Sequence, residues 1–182
     1  MPDFSFEASG TAWTVSTAAP VTEQERAAVT ELVDSYDRTY SRFRQDSVVA
    51  PLAASPGTVD RPVSAAPLLS LFETLNRLSG GAVKPWVGSS LAKLGYDAAY
   101  SFASAGPSPA PDWAASASWQ VLGNRTVLST SVPVTFDIGA AGKGQLVDLV
   151  FDLLRAAGHR ELTVDAGSDL RHSGFRALRG AL

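Results

Sequence analysis

The chain contains no cysteine, which excludes disulfides, thiolate metal sites and a lipid-modified cysteine within it. It has two histidines, His159 and His172, too few for a histidine-based zinc site. No stretch approaches the ~18 apolar residues that a membrane-spanning helix needs. The opening Met1-Pro-Asp-Phe-Ser-Phe-Glu7 lacks the basic start and apolar run of a signal peptide, so a cytoplasmic location is expected. Charge of neither sign dominates, with 15 Lys and Arg against 18 Asp and Glu. A net charge of −3 gives no electrostatic reason to expect nucleic-acid binding. No internal repeat is evident.

What is present is an ordinary globular composition, 45% hydrophobic over 182 residues. That length favours one domain, residues 1–182. A domain near ~150 residues hides about 70% of its unfolded surface, so a real core is available.

Phe4, Phe6 and Ala8 alternate with polar neighbours, as do Trp13 and Val15. This predicts a strand or hairpin with Ser9-Gly10 at a bend or bulge. Thr22 with Glu25 is a capping box, and Val21 can act as its staple. The following helix should run to about Arg42, with Val29, Leu32, Val33, Tyr36, Tyr40 and Phe43 on its inner face. Arg44 to Pro62 is punctuated by Pro51, Pro56-Gly57 and Pro62 and is expected as loop. A second helix should follow an N-cap at Ser64 and run through Leu78, with Leu68, Leu71, Phe72, Leu75 and Leu78 inward. Gly80-Gly81 ends it, and Val87 to Leu94 suits a short third helix. Ala103 to Ala117, rich in Ala, Ser and Pro, is expected as an internal surface loop. Ser118 to Leu122 and Thr126 to Ser129 predict a hairpin closed by Gly123-Asn124. A strand is expected at Glu161 to Val164. Helices and strands in this order predict an α+β domain, with helices packed on a largely antiparallel sheet.

The stretch Val134-Thr-Phe-Asp-Ile-Gly-Ala-Ala-Gly-Lys-Gly-Gln-Leu-Val-Asp148 organises the rest. Val134 to Phe136 reads as a short strand. Gln145 to Ala157 reads as a helix, with Leu146, Val150, Leu153, Leu154 and Ala157 on one face. A strand that feeds a glycine loop and a helix N-terminus suits an anion, because free N–H groups point outward there. Two generic phosphate motifs fail. A P-loop needs glycine five residues before Gly-Lys, where Asp137 stands, and a hydroxyl residue where Gly144 stands. The dinucleotide spacing fails because the glycines fall at 139, 142 and 144. On spacing alone, a ligand loop and a tight strand-to-helix turn both remain open.

With its flanks, this stretch resembles the ApbE family, the FAD:protein FMN transferases. Asp137-Ile-Gly139 followed by Lys143-Gly144-Gln-Leu-Val-Asp148 resembles the family's Asp-Leu-Gly and Lys/Glu-Gly-Tyr-Ala-x-Asp pattern. Four more segments follow the family's order. Gly10-Thr11-Ala-Trp-Thr-Val15 resembles its N-terminal Gly-Thr strand. Phe43-Arg44-Gln-Asp46-Ser47 resembles its aromatic-Arg-x-x-Ser segment. Gly81-Ala82-Val-Lys-Pro85-Trp-Val87-Gly88 resembles Gly-Ala-Phe-Asp-Pro-Thr-Val-Gly. Val164-Asp-Ala-Gly167-Ser-Asp169-Leu170 resembles Val-Asn-Ala-Gly-Gly-Asp-Ile. Among the departures from the pattern, Lys84 stands for Asp, Trp86 for Thr and Ser168 for the second Gly.

The resemblance implies an ApbE-like (T-fold-like) flavin-binding domain. It also implies transfer of FMN from FAD onto a Ser or Thr of a target protein, with magnesium. The implied FAD-contacting positions are Ser9, Phe43, Ala82, Val83, Lys84, Asp137 and Lys143. Ser9 stands where the family has Met, and Phe43 where an aromatic stacks on adenine. The backbone carbonyl of Ala140 is the implied magnesium ligand. From the residues alone, Asp137 is equally a strand cap and Phe43 a core residue. Lys143, a cation at a helix N-terminus, requires a bound phosphate or a carboxylate partner to offset its position. Asp148 and Asp169 are expected to be structural, and His159 to cap a helix end.

The family pattern continues with more strands, a His-x-x-Asp/Asn-Pro segment and further metal ligands. The expectation is therefore a domain lacking its C-terminal part, with an incomplete magnesium site. An open sheet edge after Val164 would be covered by a second copy, a C-terminal fragment, or the tail Ser173 to Leu182. The alternative to a transferase is a non-catalytic FAD-binding or degenerate ApbE-like protein. A further one is a small domain that serves only protein contacts.

Overall fold

A computed structural model describes residues 3–62 and 64–174. The chain forms two compact units, Met1–Tyr36 with Gly139–Leu182, and Asp37–Ile138. Each contains one antiparallel sheet. This is the α+β class expected from the sequence.

In the first unit, β1 (Asp3–Ala8), β2 (Thr11–Thr17), β6 (Leu162–Asp165) and β7 (Leu170–Ser173) lie in the order β1-β2-β6-β7. Ala8 pairs with Thr11, so Ser9-Gly10 makes a two-residue turn with φ of 50° and 73°. Such a turn requires left-handed backbone, which glycine accepts readily and serine seldom does. The helix α1 (Glu23–Tyr40) opens on the predicted capping box. The Thr22 N–H donates to Glu25 Oε2 at 2.7 Å, and the Glu25 N–H to Thr22 Oγ1 at 3.3 Å. The helix α5 (Gly142–Ala156) begins three residues earlier than predicted, which puts Lys143 and Gly144 in its first turn. Its buried face is Leu146, Val147, Val150, Phe151 and Leu154; Ala157 is exposed. These residues pack with Trp13, Val15, Val29, Leu162 and Val164 into the unit's core.

The strand β7 was not anticipated. It pairs with the far side of β6, so β6 is hydrogen-bonded on both edges. The tail Ser173 to Leu182, one of the three candidates for covering that edge, falls almost entirely at 175–182, outside the described residues.

In the second unit, β3 (Thr58–Pro62), β5 (Arg125–Thr130) and β4 (Ala117–Leu122) lie in the order β3-β5-β4. The β4–β5 hairpin turns at Gly123-Asn124 as expected, with Gly123 at φ 62°. The strand β3 corrects the loop expected from 44 to 62. Its inward residue is Arg61, buried with its guanidinium 4.3 Å from the Phe136 ring centroid. The helix α2 (Ala65–Leu78) follows, but Ser64 makes no side-chain cap. Ala65, Leu68, Leu69 and Phe72 are buried, whereas Leu71 and Leu78 are exposed, so the inner face is rotated from the predicted one. Two short helices, α3 (Gly88–Lys93) and α4 (Trp113–Ser116), complete the unit, the latter capped by Asp112. Trp86 stacks on Trp113 at 5.0 Å and both are buried, which explains a large aromatic where the family pattern has Thr.

Val134 to Phe136 is not a strand. Its alternation is real, since Val134, Phe136 and Ile138 are buried. Its hydrogen bonds, however, go to separate segments. The Val134 N–H donates to Leu52 O, the Gly88 N–H to Thr135 O and the Asp137 N–H to Pro85 O, at 2.7, 3.1 and 2.8 Å. Pro85 and Pro133 have no N–H, so no regular ladder can form beside it. No helix among the described residues is long and apolar enough to cross a membrane.

Candidate functional site

The predicted positions fall into one group in each unit. In the second unit, the centre is Asp137. Its N–H is tied to Pro85 O, which fixes it beside the Ala82–Lys84 segment. That segment is itself pinned after Gly80 and Gly81, both left-handed. Asn76 Nδ2 donates to Val83 O at 3.0 Å, and the Val83 N–H donates to Ser79 Oγ at 2.9 Å. Ala82 is exposed; Val83 and Lys84 are half-buried. Lys84 Nζ donates to Pro111 O at 3.4 Å, so the cation that replaces Asp is turned toward the 111 loop.

The Asp137 carboxylate accepts from Arg42 Nε at 2.6 Å, and the two side chains are only 12% and 6% exposed. The same guanidinium lies 4.1 Å from the Phe43 centroid and 5.0 Å from that of Tyr96. Its Nη2 donates to Tyr96 O at 2.8 Å. Phe43 is not a core residue. The helix stops at Tyr40, and Phe43 stands 41% exposed beyond it, stacked at 5.9 Å on Tyr100 and edge-on to Tyr96. Tyr100 and Phe102 are also exposed, and both hold left-handed backbone, φ 49° and 48°. Bulky residues seldom adopt that conformation without a surrounding constraint. Here the Phe102 N–H donates to Gly95 O and the Ala105 N–H to Lys93 O, closing the loop on itself. The result is an open aromatic surface beside a buried carboxylate–guanidinium pair.

Arg42, Tyr96 and Tyr100 were not singled out from the sequence. Arg42 looks like the last turn of a helix, and its partner Asp137 lies 95 residues away.

In the first unit, β1 and β6 both run antiparallel to β2, so the Ser9-Gly10 turn and the Ala166–Asp169 loop lie at the same end of the sheet. The N-terminus of α5 comes to that end as well. Lys143 Nζ donates to Ala166 O at 2.9 Å and to Ser168 Oγ at 2.6 Å, and pairs with Asp169 Oδ2 at 2.7 Å. The carboxylate alternative for Lys143 is thus present within the unit. Ser9 and Ala140 are exposed at this end. The N-cap of α5 is Ala141, which has no side-chain oxygen to offer, and no acidic residue stands in the first turn. Asp148 pairs with Arg171, and His159 Nε2 lies 3.2 Å from Glu25 Oε1.

Flavin chemistry suits these groups: an exposed aromatic face takes a flat heteroaromatic ring, and a helix N-terminus takes phosphate. Magnesium does not suit them. Among the described residues no group of three or more His, Cys, Asp or Glu could hold a metal ion, and one Ala140 carbonyl is not a site.

The sequence pattern of the ApbE family matches residues 9–180, and the chain belongs to that family. No curated protein matches it. Among solved structures, the chain is similar to the flavin transferase ApbE from Vibrio cholerae, with 20% identity and a TM-score of 0.74 over 96% of this chain and 59% of that one. It is similar to the Pseudomonas stutzeri flavinyl transferase ApbE in its apo form, with 23% identity and a TM-score of 0.75 over 96% and 61%. The ApbE protein of Thermotoga maritima gives 21% identity and a TM-score of 0.75 over 96% and 59%. These likenesses establish a shared fold. The chain spans about 60% of the length of the solved relatives.

Proposed function

We propose that this chain binds FAD and takes part in transfer of its FMN half to a Ser or Thr of an acceptor protein. In that reaction the acceptor hydroxyl oxygen forms a bond to the FMN phosphorus. The pyrophosphate P–O bond breaks, AMP leaves with the bridging oxygen, and the hydroxyl proton is released. The observation that carries the reading is the family pattern across residues 9–180. Phe43, Tyr96 and Tyr100 support it as a stacking surface for the adenine or flavin ring. Asp137 and the Ala82–Lys84 backbone, in the same unit, would orient the ligand beside them. In the other unit, Lys143 and the first turn of α5 are candidates for contact with phosphate. Magnesium would neutralise phosphoryl charge in such a transfer. The described residues build no site for it.

Lys84 favours a second reading, FAD binding without transfer. A cation replaces the carboxylate of the family pattern there, and it is bonded to Pro111 O.

Titration of FAD by flavin fluorescence, followed by a gel assay for fluorescent label on a Ser/Thr acceptor peptide, tests both. Saturable binding is the expected result, and labelling of the peptide as well would support the transferase reading. Binding without labelling would leave the second reading, and no binding would overturn both.

A further inference from the structure

Arg42 makes more contacts than a helix-end arginine needs. Its side chain is buried, while Phe43 and Tyr96, the rings it faces, and Tyr100, which stacks on Phe43, are each more than 40% exposed. Nε is committed to Asp137 and Nη2 to the Tyr96 carbonyl. The guanidinium carbon lies over the Phe43 ring, 4.1 Å from its centroid. An arginine fork is planar and rigid, so its bonds to Asp137 and Tyr96 fix the group that Phe43 faces. Asp137, in turn, is held by its own N–H to Pro85 O. Exposed aromatic rings otherwise keep rotamer freedom, which a ligand must freeze on binding.

We infer that Arg42 is a positioning residue: through one buried guanidinium it holds the Asp137 carboxylate and the Phe43–Tyr96 aromatic surface in a fixed relation, pre-organised for a dinucleotide. The role of that surface toward FAD rests on the function proposed above; the coupling itself does not. Charge gives the pair a second consequence. FAD carries an anionic pyrophosphate, and a buried carboxylate alone would repel it. Paired with Arg42, Asp137 adds no net charge and keeps its capacity as an acceptor. Arg42→Lys should therefore fall short of the native residue, because a point charge lacks the fork.

Two measurements test this. In the ligand-free chain, NMR of the Phe43 and Tyr96 rings is compared for native protein, Arg42→Lys and Asp137→Asn. Asp137→Asn is nearly isosteric and serves where Arg42→Ala fails to fold. The rings should shift in both variants, including the one changed at Asp137. FAD titration of Arg42→Ala, Asp137→Asn and the double variant then gives a cycle. Arg42→Ala alone should weaken FAD more than the double variant does, with non-additivity of about tenfold. Unmoved ring signals in folded variants, or an additive cycle, would overturn the assignment. If the native chain binds no FAD, the flavin reading falls and the ring signals alone decide the role of Arg42.

Discussion

The ammonium of Lys143 lies 2.7 Å from the carboxylate of Asp169, and the Ala166 carbonyl and Ser168 hydroxyl take its other two donors. A lysine has three N–H donors, so this one is fully engaged. A phosphate that used Lys143 would compete with Asp169. Asp169→Asn should therefore tighten FAD binding, by about tenfold at most, while the pair's loss costs roughly 0.2–1 kcal/mol of stability at these partly exposed side chains. Titration and urea unfolding at low and high salt check both. Weaker FAD binding in a folded Asp169→Asn variant would show that Lys143 needs its carboxylate to serve the ligand.

Gly88 is the tightest contact beside the Asp137 segment. A Cβ there would sit 2.6 Å from Thr135 Cγ2 and 2.8 Å from Thr135 O. The backbone oxygen cannot move without disturbing the two bonds that hold 85–88 against 135–137. Gly88→Ala should cost roughly 1–3 kcal/mol. Adding Thr135→Ser removes the methyl clash and leaves the oxygen, so it should restore only part of that. Full recovery in the double variant by thermal unfolding would mean that the backbone contact is immaterial.

Short-range signals were legible. The Thr22–Glu25 box and the Gly123-Asn124 turn are each decided within a few residues, and both formed as expected. Features that depend on distant partners were not. The strand β3 reads as loop because its one buried residue is a charged Arg61 and it ends on Pro62; only β5, with Thr58 opposite Ser129, makes it a strand. Val134 to Phe136 has a strand's alternation but lacks a continuous partner. The helix α2 carries leucines over so wide an arc that its inner edge cannot be told from its outer one. At the candidate site, the motif positions Phe43, Asp137 and Lys143 were visible. Arg42 was not, because nothing local points to a carboxylate 95 residues on.

Phe43 and Asp137 should both matter to FAD and in different ways. Base–aromatic stacking is worth about 1–3 kcal/mol, so Phe43→Ala should weaken FAD roughly 5- to 150-fold while changing stability little, the ring being partly exposed. Asp137→Ala strands a buried guanidinium and should lower stability as well as affinity. Phe43→Leu, which keeps apolar bulk without the ring, distinguishes stacking from burial. Native affinity in both Phe43 variants would remove this residue from the ligand surface.

Acid should act on the start of α1. The Thr22 N–H, then the Thr22 hydroxyl, hold Glu25 below its ordinary value of 4.5, against the cost of burial, and His159 adds to the effect. A carboxylate whose folded value is depressed stabilises the fold above its unfolded value and loses that contribution as pH falls through the folded one. The contribution of Glu25 is therefore full above about pH 4.5 and declines below it. Glu25→Gln keeps a box-compatible side chain at this position but removes the titrating charge, so its stability should fall less steeply on acidification than the native chain's. Thr22→Ala removes the hydroxyl that caps the Glu25 N–H and should cost about 1 kcal/mol at neutral pH. Chemical unfolding from pH 7 down to pH 3 measures the slopes. Parallel curves for native and Glu25→Gln proteins would show that the acid sensitivity lies with other carboxylates.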